Sequence, residues 1–255
     1  MGAWPQKVDV LGVGISTTSV EELPQLLSSR LPDRAICVNV CNVHSIMSSR
    51  HDHELAEALA TSDVNTPDGM PLVWFLKSLG HAEQTRVNGS AIALRALEFG
   101  LARGWRHYFY GSTEETLALL VTQLLRRFPE LQIAGTCSPP FRIQTDRERA
   151  QSIALILETK PDIVWVGLGM PRQEKWMQQV RAELPGVALI GIGAVFDFLA
   201  GTKPQAPQWL QDHGLEWLFR LGSEPRRLWR RYLWNNPAFL ALWIRELATS
   251  RGRAT

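Results

Sequence analysis

The chain is organised around one short stretch, Asn65-Thr66-Pro67-Asp68-Gly69-Met70-Pro71, which joins an apolar strand-like run to an apolar helix. Pro67 restricts the backbone on entry to this turn, and Gly69 is expected to take backbone angles closed to other residues. Asp68 is therefore predicted on a tight turn, with its carboxylate facing a cleft. On local evidence alone, an aspartate at such a position is more often a turn residue that hydrogen-bonds its own backbone.

Two kinds of segment alternate on both sides of this turn. Short apolar runs predict buried strands at residues 8–15, 35–40, 64–66, 107–110, 131–135, 162–168 and 187–192. Longer segments, two of which begin with a capping box, predict helices at residues 19–31, 45–60, 71–79, 91–102, 112–128, 146–159 and 171–184. This alternation predicts an α/β fold, in which helices cover the faces of a largely parallel sheet.

Polar residues and glycines directly follow several of the predicted strands. Those at or just past a strand end are Asn42, Asp68, Gly111, Gly169 and Gly193. Because ligands of open parallel sheets bind at the carboxyl ends of the strands, we expect these positions to border one small-molecule site.

Residues 167–175 end a predicted strand in glycines and begin a helix at Pro171. Backbone N–H groups at such a helix start attract phosphate. Gln173 is suited to hydrogen-bond a sugar or a base, and Arg172 or Lys175 is suited to face a phosphate. Glycines at a strand–helix junction are also common where the backbone only packs tightly.

Three other motifs are weaker. Arg86 and Asn88 belong to a polar loop before a helix, which suits a sugar or diphosphate but also fits a plain connection. Asp197 lies among apolar residues, where a carboxylate is costly unless it is paired, used or exposed at a helix start. Residues 12–14, Gly-Val-Gly, lack the third glycine and the acid of a dinucleotide fingerprint, so NAD is not favoured.

The overall composition is that of a globular protein whose 255 residues suffice for a real core. Three cysteines predict core thiols in a reducing compartment rather than a disulfide framework. We see no signal peptide and no apolar segment of about 20 residues, so a cytoplasmic, non-spanning protein is expected. His51 and His53 lack a closing ligand at a zinc spacing, and no metal or cofactor is predicted.

The C-terminal residues differ in character from the rest of the chain. Five of the ten tryptophans follow residue 206, and eight Arg with three Glu give residues 215–255 a charge of +5. Short helices are predicted at residues 215–221, 225–233 and 237–247. Such Arg- and Trp-rich helices suit a membrane interface, and they suit equally a helical cap packed on the sheet. We divide the chain into an α/β domain, residues 1–205, and a helical appendage, residues 206–255.

An ordered set of motifs closely resembles the WecG/TagA/CpsF glycosyltransferases (glycosyltransferase family 26). The motifs are residues 66–70 (Thr-Pro-Asp-Gly-Met), 86–90 (Arg-Val-Asn-Gly-Ser), 166–176 (Val-Gly-Leu-Gly-Met-Pro-Arg-Gln-Glu-Lys-Trp), 191–201, 214–220 and 224–232. The resemblance covers nearly the whole chain. One departure is Val40, which stands where a threonine is common in the family, two residues before Asn42.

The resemblance implies a Rossmann-like fold and an inverting, metal-independent transfer. A hexose-type sugar would move from a UDP-sugar to a polyprenyl-diphosphate-linked saccharide at the cytoplasmic membrane face, in cell-surface polysaccharide synthesis. Asp68 matches the proposed general base, and the C-terminal arm matches an appendage that completes the site and reaches the membrane. The predicted substrate-binding residues are Asn42, Gly69, Arg86, Asn88, Gly111, Gln173, Asp197, Arg220, Arg227 and Arg231.

The chemistry of the residues is consistent with this prediction. An inverting transfer needs one base to take the acceptor proton, opposite the leaving group. Without a metal, Arg220, Arg227 and Arg231 are candidates to meet the charge of a diphosphate. The rival function is a non-catalytic module that binds membrane or nucleic acid through the arm. The polar strand ends favour the enzyme, and no nucleic-acid partner is predicted. The sequence does not determine which sugar is transferred, which acceptor hydroxyl receives it, or whether the protein forms a homo-oligomer.

Overall fold

The computed structural model describes residues 4–30 and 34–252. Within them the strands are β1 (Lys7–Val10), β2 (Val13–Ser16), β3 (Ile36–Cys41), β4 (Val64–Pro67), β5 (Arg106–Gly111), β6 (Gln132–Cys137), β7 (Ile163–Gly167) and β8 (Ala188–Gly191). The helices are α1 (Glu22–Arg30), α2 (Val43–Ser49), α3 (His53–Thr61), α4 (Met70–Ser78), α5 (Gly89–Leu101), α6 (Glu114–Arg127), α7 (Asp146–Thr159), α8 (Arg172–Val180), α9 (Val195–Ala200), α10 (Gln208–Asp212), α11 (Glu216–Ser223) and α12 (Pro225–Gly252).

A six-stranded parallel sheet forms the centre of the molecule, in the order β4-β3-β8-β7-β5-β6. Helices α1, α5, α6 and α9 pack on one face around Phe109 and Trp165. Helices α7 and α8 cover the other face, where Val166 and Met177 are buried. A strand covered on both faces should be apolar throughout, and residues 163–166 of β7 are indeed fully buried. The predicted α/β fold is confirmed.

The first predicted strand, residues 8–15, is wrong in one respect. The segment forms an antiparallel hairpin, β1 and β2, that turns at Leu11 and Gly12. Both turn residues have positive φ, 55° and 95°, as the two central residues of a type I′ hairpin turn require. Gly12 therefore lies in a hairpin turn and not at a strand–helix junction, where the glycines of a dinucleotide site lie.

Two helix predictions also need correction. Residues 45–60 form two helices, because Asp52 adopts an extended conformation and accepts a hydrogen bond from the Leu55 N–H at 3.1 Å to begin α3. The predicted helices at residues 225–233 and 237–247 are one helix, α12, with Pro237 inside it. The proline costs roughly 3 kcal/mol, which burial of Leu228 and Phe239 on either side of it helps to offset.

The C-terminal helices pack against the body of the protein. Phe239 of α12 is 2% exposed, and its ring centroid lies 6.1 Å from that of Phe75 in α4. The ring centroid of Trp243 lies 5.4 Å from that of Phe75, so α12 contributes to the hydrophobic cluster that includes residues of the β1–β2 hairpin. The division of domains at residue 206 stays a prediction. Within the described ranges, no helix has the length and apolar character that crossing a bilayer requires.

Candidate active site

A cleft of about 740 Å³ runs along the carboxyl edge of the sheet and is closed on one side by α11 and α12. Among the predicted residues, those that line it are Asn42, Asp68, Arg86, Asn88, Gln173, Asp197 and Arg220. A second cavity of about 90 Å³ adjoins it and is bordered by Gly69 together with Met70, Trp217 and Tyr232. Six residues line both spaces and form the wall between the cleft and the smaller cavity: Asn42, His44, Asp68, Arg86, Glu216 and Arg220.

The remaining predicted residues are placed differently. Gly111 precedes the cleft-lining Ser112, and its φ of +125° brings the backbone so close to Gly167 that an added Cβ would lie 2.5 Å from the Gly167 carbonyl carbon. Its glycine is therefore required for strand packing. The side chains of Arg227 and Arg231 lie outside the described residues, so their predicted roles stay predictions. Arg172 and Lys175 point to other partners: Arg172 donates to the Pro140 carbonyl, and Lys175 pairs with acids of α3.

The Asp68 turn is held by its neighbours. The Asp68 N–H donates to the Cys41 carbonyl at 2.8 Å, and the Val87 N–H donates to the Pro67 carbonyl at 2.9 Å. Gly69 has φ −88° and ψ 139°, so the expectation of unusual backbone angles there is wrong. The bend is instead fixed by the strand beside it and by the loop that carries Arg86.

The Asp68 carboxylate is bound by Arg86. Its Oδ1 accepts hydrogen bonds from Arg86 Nη2 at 2.8 Å and Nε at 3.2 Å, and Nε also donates to the Asp68 carbonyl. Arg86 Nη2 donates in addition to Glu216 Oε2 at 2.6 Å. Burial alone would lower the pKa of Arg86, but the two carboxylates outweigh it and raise that pKa. Arg86 is therefore a permanent cation shared by Asp68 and Glu216.

A second set of charges lies further along the cleft. Lys203 Nζ lies 2.9 Å from Asp197 Oδ2 and 3.0 Å from Glu224 Oε1. Burial alone would lower the pKa of Lys203, but hydrogen bonds to Asp197 and Glu224 raise it. Asp197 is thus a paired carboxylate, which resolves the open question about its apolar surroundings.

Two amide side chains are tied into the backbone of the cleft. Asn42 begins α2, since its Oδ1 accepts from the His44 N–H at 3.0 Å while its own N–H donates to Ser45 Oγ at 3.2 Å. Gln173 is 4% exposed; its Oε1 accepts from the Gly169 N–H at 3.2 Å and its Nε2 donates to Glu174 Oε1 at 3.0 Å. Both amides are therefore preorganised, because their hydrogen bonds fix them before any ligand arrives.

The family model described as "Glycosyl transferase WecG/TagA/CpsF family" matches residues 8–253. The chain belongs to the WecG/TagA/CpsF glycosyltransferase family. The resemblance stated from the motifs is thereby confirmed, and the cleft is the candidate active site of a glycosyltransferase.

Two relatives of this family member carry the same name, N-acetylglucosaminyldiphosphoundecaprenol N-acetyl-beta-D-mannosaminyltransferase. The protein of Bacillus spizizenii is 33% identical over 175 residues, a match that spans 69% of this chain and 66% of that protein, just under two thirds of its length. The protein of Bacillus subtilis is 27% identical over 196 residues, which cover 77% of this chain and 74% of that protein.

Three charged cleft residues of this family member were missed from the sequence: Glu174, Lys203 and Glu216. Glu216 begins a helix, where an acid is usual for its interaction with the helix dipole, and nothing local indicates its partner Arg86, 130 residues away. Glu174 adjoins Gln173 within the motif of residues 166–176, and its position there was the available signal. Across the part of the chain that the structure covers, no group of three or more His, Cys, Asp or Glu is arranged to hold a metal ion.

Glu174 is a buried acid at the floor of the cleft. It is 3% exposed, and within the described residues its Oε2 has no hydrogen-bond partner. Burial raises the pKa of Glu174 from its ordinary value of 4.5 to about 7. Between these two values the folded protein holds a proton that the unfolded chain has lost. The free energy of unfolding therefore decreases as the pH rises through this window.

We expect Glu174→Gln to relieve this loss of stability in the ligand-free protein. The unfolding free energy of the variant minus that of the parent should be larger at pH 8 than at pH 5, by on the order of 3 kcal/mol. Denaturant unfolding at the two pH values measures it, with Glu158→Gln on the exposed side of α7 as the control. An equal difference at both pH values would show that Glu174 does not titrate in this range.

Proposed function

We propose that the protein is an inverting glycosyltransferase that moves a hexose-type sugar from a UDP-sugar to a polyprenyl-diphosphate-linked saccharide. The names of the two relatives make N-acetylmannosamine the first donor sugar to test and lipid-linked N-acetylglucosamine the first acceptor. The observation that carries the proposal is the position of Asp68 on the wall between the large cleft and the smaller cavity. A base at that wall can face a donor on one side and an acceptor on the other.

Asp68 is the base in this mechanism. Arg86 binds Oδ1, and in the described part of the chain no other group takes Oδ2, so this oxygen can accept the proton of the acceptor hydroxyl. The hydroxyl oxygen forms a bond to the anomeric carbon as the bond from that carbon to UDP breaks on the opposite face. The anomeric centre gains positive charge on the way, and the nearby carboxylate stabilises it.

In this proposal the cations that line the cleft stabilise the UDP that leaves. Arg220 Nη1 lies 4.0 Å from Glu216 Oε1, and Lys203 lies beside Asp197. Both are charged donors suited to diphosphate oxygens, so the proposed reaction needs no metal ion. Arg227 and Arg231 remain further candidates for the donor or for the lipid diphosphate.

We propose that α12 carries the protein to the inner face of the cell membrane. Trp229, Leu233, Leu240 and Ile244 are between 45% and 61% exposed and follow the spacing i, i+4, i+11 and i+15, which puts them on one stripe. Arg226 and Arg230 are exposed beside this stripe. An apolar stripe flanked by arginines suits an interface with anionic headgroups, each Arg adding about 1 kcal/mol near the surface.

The test is a panel of UDP-sugars offered with a synthetic polyprenyl-diphosphate-linked N-acetylglucosamine. We expect one UDP-N-acetylhexosamine to yield a β-linked disaccharide lipid, with the rate unchanged by EDTA. Loss of the activity in EDTA would overturn the metal-independent mechanism. No product from any UDP-sugar, with acceptor and membrane mimic present, would contradict the donor class.

A further inference from the structure

Helix α11 is joined to the cleft at both of its ends by a shared cation. At its first residue, Glu216 binds Arg86, which binds Asp68. After its last residue, Glu224 binds Lys203, which binds Asp197. In each case an acid of the cleft shares its cation with an acid at one end of α11. The two arrangements differ in that only the first includes the proposed base.

Glu216 and the Asp68 carboxylate accept hydrogen bonds from the same nitrogen of Arg86. The single nitrogen Nη2 donates to Glu216 Oε2 at 2.6 Å and to Asp68 Oδ1 at 2.8 Å. The three side chains are only 15% to 19% exposed, so water screens their interactions less than at the surface. The other titratable or charged side chains around Asp68 come from several elements. At the smaller cavity they are His44 from α2, Arg220 from α11 and Tyr232 from α12. In the cleft they are Glu174 from α8, Asp197 from α9 and Lys203, and Cys41 is buried at the end of β3.

We propose that Glu216 is a positioning residue that tunes the strength of Asp68 as a base. The inference rests on the proposed function, since it is Asp68 that takes the proton there. An arginine that faces one carboxylate strongly favours its charged form and makes it a poor proton acceptor. A second carboxylate on the same guanidinium offsets that effect. It also fixes the plane of Arg86, so that Oδ2 of Asp68 keeps its direction.

Glu216→Gln tests this in the full chain, because glutamine keeps an acceptor for Arg86 and removes only the charge. We expect the acidic limb of the pH profile of kcat/KM to move down by about 1 unit and kcat to fall by about three- to tenfold. KM for the UDP-sugar should change by less than about twofold. Glu224→Gln is the matched control, since it removes the carboxylate at the other end of α11, and its acidic limb should coincide with that of the parent.

A second measurement separates this inference from the proposed function. Carboxyl ¹³C NMR, with the Asp68 resonance assigned through Asp68→Asn, follows the titration of Asp68 without turnover. We expect its midpoint to fall in Glu216→Gln and to stay unchanged in Glu224→Gln.

An unmoved midpoint in Glu216→Gln overturns the inference even where transfer is active. A shifted midpoint in a protein that transfers no sugar supports the coupling and contradicts the function. Equal losses of kcat in both variants, without a shift of the limb, would show that Glu216 only docks α11.

Discussion

Replacement of Asp68 by asparagine is expected to reduce sugar transfer by about 10²- to 10⁴-fold, the range that a positioned general base contributes. Asparagine keeps an oxygen for the hydrogen bonds from Arg86 and keeps the volume of the side chain. The turn itself is held by backbone hydrogen bonds to Cys41 and Val87, which the substitution does not touch. The variant should therefore fold normally and lose only the ability to accept a proton.

Single-turnover transfer and binding of UDP are the two measurements. UDP affinity should change by only a few-fold, because the cations proposed to hold the diphosphate are unchanged. Asp52→Asn is a matched control: Asp52 is also ion-paired, to Lys175 at 2.9 Å, but it begins α3 away from the cleft. Asparagine is an equally good N-cap, so this control should transfer sugar at nearly the parent rate. Turnover near that of the parent in Asp68→Asn would remove Asp68 from the mechanism.

The residues gathered at the strand ends are the part of the site that the sequence predicts well. Asn42 and Asp68 each directly follow a buried strand, and β3 and β4 are parallel neighbours, so their ends had to lie side by side. The glycine-rich strand end before α8 brings Gln173 to the same edge by the same rule. Strand pattern and sheet geometry are enough to assemble these three residues.

The ion pairs of the cleft could not be predicted in the same way. Contact between Arg86 and Glu216 depends on how the C-terminal helices dock, which is set by buried side chains such as Phe239 and not by any local pattern. Lys175 is a residue that the sequence suggests for the site and that the structure places elsewhere. Its place in a glycine-rich motif suggested phosphate, but the helix turns it outward to Asp52 and Glu54. Periodicity gives the face of a helix, and the partner on that face is a tertiary property.

Sequence patterns predict the wrong local conformation at two places, the hairpin of residues 7–16 and helix α12. The apolar run of residues 8–15 outweighed the two-residue turn at Leu11 and Gly12, although that turn reverses the chain. Because proline favours the first turn of a helix, the sequence predicts a helix start at Pro237, yet α12 continues through it. In both cases packing determined the outcome, since Ile15 and Phe239 are buried in one cluster.

The exposed stripe of α12 carries the prediction with the largest expected effect on membrane binding. Changing Trp229, Leu233, Leu240 and Ile244 together to glutamine should weaken binding to anionic vesicles at least about 100-fold. A large apolar side chain contributes roughly 1.5–3 kcal/mol when fully buried, and four such side chains exceed that loss even if each is only partly inserted. Because all four are exposed and glutamine is a good helix former, the thermal unfolding midpoint should stay close to that of the parent.

A matched control uses four other exposed leucines, on α6 and α7, changed to glutamine: Leu119, Leu125, Leu155 and Leu157. These variants should bind vesicles as the parent does. Substitution is a sharper test than deletion of residues 215–255, which also removes Glu216 from the site and Phe239 from the core. Such a deletion should abolish transfer, because it removes Glu216, Phe239 and the exposed stripe of α12 together. Vesicle sedimentation and transfer to a lipid-linked acceptor are measured together, with neutral vesicles and added salt to isolate the arginines. If the stripe variant sediments with vesicles as the parent does, α12 is a cap on the fold and the membrane is reached by another surface.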